Sequence, residues 1–183
     1  MIPLETYSYW VALGSIFLQL VTAYLLFEYF FLTEKYLSPY VGRFALWIVC
    51  IVGTLSAALS LTYSEIYGFI PCGLCWIERG LLYSVTIITG IALWKSMRRK
   101  YTGAGDTSIT DYGIGLSVVA VIVAFYHHYI QMGGREFVLC PTSGGDCARR
   151  LVFEFGYVTF PLMSLTVFAF FIACFLIYRR AHT

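Results

Sequence analysis

The chain has 183 residues, 60% of them hydrophobic and 12% charged, with a formal net charge of +2. A soluble domain carries about 25% charged residues, so half that share, with several long uncharged runs, excludes a soluble globular protein and marks an integral membrane protein. The small positive charge gives no footprint for nucleic acid, and topology accounts better for the basic residues.

Five runs are each long enough to cross about 30 Å of hydrocarbon at about 1.5 Å per residue. Within a bilayer only helices and closed barrels satisfy the backbone, and continuous apolar runs of this length predict helices. The first is Tyr9–Leu32. Met1–Trp10 before it holds no Lys or Arg, and no small-residue cleavage site follows, so the run reads as a retained helix and not a signal peptide. Glu28 falls near its far end and is expected to snorkel to the headgroups. The next connection holds Lys35 and Arg43, and the second run is Phe44–Tyr63. Ser64–Trp76 carries no Lys or Arg and leads into the third run, Ile77–Trp94. Lys95, Arg98, Arg99 and Lys100 follow it, before the fourth run, Tyr112–Ile130. A loop with Arg135, Arg149 and Arg150 precedes the fifth, Val158–Tyr178, and Arg179 and Arg180 follow. Eight basic residues on one side against three on the other predict an extracytoplasmic N-terminus and a cytoplasmic C-terminus. The 15 Tyr, 15 Phe and 4 Trp suit helices that meet lipid and its interfaces.

This topology sorts the six cysteines. Cys50 and Cys174 fall inside the second and fifth runs, where apolar surroundings make a thiol inert, and are read as packing residues. Cys72 and Cys75 lie in Pro71-Cys72-Gly73-Leu74-Cys75-Trp76-Ile77-Glu78-Arg79, a Cys-x-x-Cys pair at the mouth of the third helix. A helix N-terminus and a nearby cation both lower a thiol pKa. Arg79 follows Cys75 by four residues, on the same face one turn deeper. It could stabilise a Cys75 thiolate, snorkel as an interface cation or pair with Glu78. Cys140 and Cys147 lie in the next outward loop, and the Pro and two Gly between them make a tight reversal easy. Taken alone that pair reads first as a structural staple. Two dithiol pairs facing one side favour exchange. A four-cysteine zinc site is the competing assignment, but six residues between Cys140 and Cys147 is not a usual zinc spacing, and zinc leaves Arg79 unexplained.

From Phe44 to Arg180 the chain resembles the disulfide bond formation protein B (DsbB) family, especially the Gram-positive BdbC-type thiol-disulfide oxidoreductases. The resemblance rests on Pro71-Cys72-x-x-Cys75-x-x-Glu78-Arg79, on a second Cys pair before the last helix, and on Gly145-Asp146-Cys147-Ala148 followed by Phe155-Gly156-Tyr157-Val158-Thr159-Phe160-Pro161. It implies an all-α membrane protein: a four-helix transmembrane core over 44–183, with redox loops at 64–76 and 131–157, plus an extra N-terminal helix and its connection over 1–43. It also implies a bacterial cell-membrane enzyme that reoxidises a secreted or periplasmic DsbA-like thioredoxin-fold partner. That partner attacks Cys140 or Cys147, with Cys140 favoured. The freed thiolate passes electrons to Cys72–Cys75, and Cys75 reduces a quinone, ubiquinone or menaquinone, at the outer face. His127 matches the interval of the family's quinone-site histidine, and imidazole titrates in a range useful to a proton donor. Arg79, His127 and Glu78 thus form the expected quinone site, with no metal. The Cys140–Cys147 loop is far shorter than in proteobacterial members, which place an interfacial helix there, and Tyr9–Leu32 has no counterpart in the four-helix pattern and no assigned role.

Other functions stay in view. A reductase or thiol transporter driving electrons outward needs a cytoplasmic electron source, and no cysteine lies in a cytoplasmic loop. Vitamin K epoxide reductase-like proteins share a four-helix core and a quinone, but their loop pair precedes the Cys-x-x-Cys pair. A non-enzymatic scaffold predicts disulfides resistant to mild reductant.

Overall fold

The computed structural model describes residues 3–31, 37–98, 107–135 and 146–182. Lys35, Arg99, Lys100 and Cys140 lie outside the described residues. Five helices, each long and apolar enough to cross a membrane, make up nearly all of the rest: α1 (Leu4–Phe31), α2 (Ser38–Glu65), α3 (Gly73–Arg98), α4 (Thr107–Gln131) and α5 (Phe160–His182). They coincide with the five runs expected from hydropathy and extend beyond most of their ends. Among the described residues no strand forms beyond a single antiparallel bridge between Glu154 and Val158.

Helices α2, α3, α4 and α5 form a ring in which each packs on its two neighbours, and α1 leans on the outside of α5. α5 therefore has three partners, and 56% of its apolar span is buried against 22–28% in the other four. Its Phe168, Phe171, Phe175 and Cys174 fill the centre, with Val49 of α2, Val85 of α3 and Ala120 of α4. Cys174 is the packing residue its sequence position suggests, whereas Cys50 is only half-buried. Close approach needs small residues where lipid offers no hydrophobic drive between helices. A Cβ added to Gly113 on α4 would lie 2.7 Å from the Phe175 ring. The face α1 turns inward carries Ser8, Ala12, Ser15 and Thr22, and Gln19 donates to Thr166 of α5 at 3.2 Å.

Glu28 corrects one expectation. It does not snorkel: it is fully buried, and its carboxylate oxygens accept the N–H of Leu37 at 3.0 and 3.2 Å. Leu37 is the N-cap of α2 and brings no capping side chain of its own. A helix start leaves N–H groups unpaired and carries partial positive charge. The α1 carboxylate answers both.

The ends of α2 and α4 and the starts of α1, α3 and α5 gather at one end of the bundle. Gly133 (φ +96°) closes α4, with N–H groups of Gly133 and Gly134 donating to Ile130 and Tyr129 carbonyls, a left-handed C-terminal stop that glycine suits. Arg150 and Gln131 then fasten the following loop to α4: Arg150 Nε donates to the Gln131 carbonyl, and Gln131 Nε2 donates to the Arg149 carbonyl at 3.3 Å.

Candidate redox site and adjoining cavity

Cys72 immediately precedes the first residue of α3, and its Sγ accepts the N–H of Cys75 at 3.3 Å. It thus occupies the position where Ser or Asp usually caps a helix, with a sulfur in place of the oxygen. The Cys75 Sγ lies 2.7 Å from the Cys72 Sγ, beyond a disulfide bond of about 2.0 Å but near enough for oxidation to join them with little backbone motion. His127 of α4 supplies the third contact, with its Nε2 3.6 Å from the Cys72 Sγ. Cys72 lies just outside the spanning segment, and its thiol is held well below the ordinary range, at about 4, first by the hydrogen bond from Cys75 and then by His127.

Behind the imidazole stands Glu78, whose carboxylate meets His127 Nδ1 at 2.8 Å. His127 is fully buried and Glu78 nearly so. The carboxylate fixes the ring's orientation and leaves Nε2 directed at the Cys72 sulfur. Glu78 therefore pairs with His127, not with Arg79 next to it in sequence.

Arg79 is buried and turns toward α2: Nε donates to Ser60 Oγ at 2.9 Å, Nη2 to the Ser60 carbonyl at 2.7 Å and Nη1 to Ser64 Oγ at 3.3 Å. Its guanidinium also lies 5.6 Å from the centre of the Trp76 ring. Among the described residues the basic group in contact with a cysteine is His127.

Cys147 is disulfide-bonded and almost wholly buried. It packs in one cluster with Cys72, Leu74 and Ile130, against which Cys75 and Tyr126 rest. Cys147 is thus set down beside the Cys-x-x-Cys pair.

These groups border a cavity of about 870 Å³, within the range of small-molecule sites. Cys72, Cys75, Glu78, Arg79, His127 and Gln131 line one end, and Leu82, Val167 and Phe168 continue it as an apolar slot. Two buried polar atoms on its wall, Gln131 Oε1 and Ser15 Oγ, have no hydrogen-bond partner among the described residues. A slot with sulfur, guanidinium and the unpaired Gln131 oxygen at one end, the Ser15 hydroxyl deeper on its wall and hydrocarbon beyond fits a ring bearing carbonyl oxygens and an apolar tail. Sequence reasoning missed Gln131 and the Ser60–Ser64 pair. Gln131 sits one turn beyond His127 and Ser64 one turn beyond Ser60, spacings that place each couple on one face, but only the packed helices show what they face.

Comparison with known proteins agrees with the architecture. The family described as "Disulfide bond formation protein DsbB" matches residues 42–178. The chain belongs to the DsbB family. It is 38% identical over 124 residues to the SPbeta prophage-derived disulfide bond formation protein B of Bacillus subtilis strain 168, covering 68% of this chain and 76% of that one. Identity is 31% over 126 residues to disulfide bond formation protein C of the same strain, covering 68% and 83%. It is 30% over 139 residues to a probable disulfide formation protein of Metapseudomonas resinovorans, covering 75% and 88%. No solved structure matches the chain. Family membership makes this DsbB-type protein a multi-pass membrane thiol-disulfide oxidoreductase of disulfide bond formation. The match begins at the fifth residue of α2 and leaves α1 outside it.

Proposed function

We propose that the protein reoxidises a secreted thioredoxin-fold dithiol and delivers the electrons to a membrane quinone. The observation that carries this reading is the Cys72–Cys75 pair, 2.7 Å between sulfurs, set in the wall of a partly apolar cavity and packed beside the disulfide-bonded Cys147. The bacterial cell membrane is its place, with the N-terminus and the cysteine end outside and the basic end of the bundle in the cytoplasm, as the distribution of Lys and Arg supports.

Electrons enter when a partner thiolate attacks Cys140 or Cys147. One S–S bond forms as another breaks, and the partner's disulfide closes as both loop sulfurs are released. A freed loop thiolate then attacks the Cys72–Cys75 disulfide, restoring the loop disulfide and leaving the pair as a dithiol. Quinone, when bound, accepts two electrons and two protons and leaves as quinol, which balances the oxidation of one partner dithiol. Arg79, Gln131 and His127 would hold its polar end and the apolar slot its tail. Cys75 is the sulfur that discharges, and Cys72, kept as an anion by Cys75 and His127, closes the disulfide on it. His127, backed by Glu78, holds a proton at the cavity wall.

Purified protein in lipid should oxidise a reduced thioredoxin-fold protein only when quinone is present, and Cys75→Ser should abolish turnover. Undiminished activity in that variant, or turnover without quinone under anaerobic conditions, overturns the reading.

A further inference from the structure

We propose that α1, the helix outside the family match, is a wall of the quinone pocket and provides a polar contact to the bound ring through Ser15. This rests on the quinone reading above and adds a residue set that the four-helix core does not contain.

Packing is the first support. α1 rests along α5 but makes only sparse contact with α2, and the cavity occupies the gap this leaves. Its lining includes Val11, Gly14, Ser15 and Leu18 from α1, facing Leu55, Ser56 and Leu59 from α2, with α5 beneath. Without α1 the same groove between α2 and α5 would open sideways to lipid along its length. With α1 in place the ring is enclosed on that side.

Chemistry is the second. Ser15 is 9% exposed, lines the cavity, and its Oγ lacks a hydrogen-bond partner among the described residues. A buried hydroxyl left unpaired costs free energy, and one facing a ligand site finds its partner in the ligand. Its depth suits a ring oxygen. Ser8, seven residues earlier on α1, accepts the hydroxyl of Tyr63 at 3.2 Å. Ser15 therefore lies about 10 Å further from the outer end than that contact, below the level of Ser60, where Arg79 is bonded. A ring placed against Cys75 and Arg79 would turn its deeper oxygen toward Ser15.

Space is the third. A Cβ added at Gly14 meets nothing within 4 Å, so a larger side chain there would occupy free volume at the cavity edge without disturbing α1.

The test uses the full chain in detergent and a short-chain benzoquinone carrying a photoreactive azide, with labelled peptides located by mass spectrometry. Label is expected in the α1 segment around Val11–Leu18 as well as in α3, and excess unlabelled quinone should remove both. Probe affinity should fall about two- to tenfold in Ser15→Ala, the loss of one hydrogen bond, and by a similar or larger factor in Gly14→Leu, with thermal stability retained. Leu20→Trp, on the lipid face of α1, should change nothing. Quinone-dependent turnover with α1 unlabelled, or with unchanged affinity in both α1 variants, overturns this inference and leaves the function standing. A wild-type protein that neither binds the probe nor needs quinone overturns both.

Discussion

Replacing His127 by Gln should show how the Cys72 anion is held. The amide keeps approximate volume and a donor near the sulfur but removes the positive charge that Glu78 stabilises. A hydrogen bond from a charged group exceeds a neutral one by about 1 kcal/mol, which corresponds to about 0.7 of a pKa unit. The Cys72 inflection should therefore rise from its depressed position by a little under one unit. Cys75→Ala should raise it further, because Cys75 makes the largest contribution. The assay is thiolate ultraviolet absorbance against pH, on reduced protein in which Cys140 and Cys147 are Ser. At pH 7 a sulfur with either inflection is more than about nine-tenths ionised, so thiolate supply is unchanged there. A fall in kcat of His127→Gln at pH 7 would then report lost proton handling. An inflection that stays at its wild-type pH in this variant would refute the assignment of His127 as the cationic partner of Cys72.

Arg79→Lys keeps the charge but loses the fork on Ser60 and Ser64. The apparent quinone KM should rise about three- to tenfold while the Cys72 inflection stays in place, and a moved inflection would contradict the geometry. Glu28→Gln should lower stability by about 0.5–2 kcal/mol, measured as a drop in Tm, through its weaker hold on the start of α2. Gly113→Ala forces a methyl against Phe175 and should cost about 1–3 kcal/mol, again as a lower Tm, and an unchanged Tm would mean that the α4–α5 contact is looser than it looks.

The five spans and the Cys-x-x-Cys pair were legible because they depend on local properties: unbroken hydropathy and a three-residue spacing at a helix start. The family resemblance singles out His127 by its interval to the first loop cysteine, but its bond to Glu78 could not be foreseen, since the two lie on different helices. Arg79 shows what spacing leaves undetermined. Its spacing from Cys75 is correct for a shared face, yet two serines on α2 claim the guanidinium. Glu28 looked like an interfacial carboxylate because the partner it needed is a backbone N–H, which sequence does not display. The docking of α1 left little trace for a related reason. Lipid and protein interior are almost equally apolar, so a helix packed on one side shows no strong polar face, and the small residues Ser8, Ala12, Ser15 and Thr22, with Gln19 and Glu28, mark the contact.

The polar contacts that join α1 to α2 among the described residues lie at its two ends, where Tyr7 also donates to the Leu59 carbonyl at 3.4 Å beside Ser8, and this placement has a mechanical meaning. Ser8 with Tyr63 and Glu28 with Leu37 are separated by twenty residues of helix, about 30 Å, so α1 is fastened to α2 near each membrane surface and stands apart from it between. It behaves as a beam held at both ends, and the width of the opening beneath it is governed by its supports. A change at Glu28, far from any sulfur, would tilt the beam and alter which molecules pass under it. Shortening the chain to its family-matching part would remove the beam altogether.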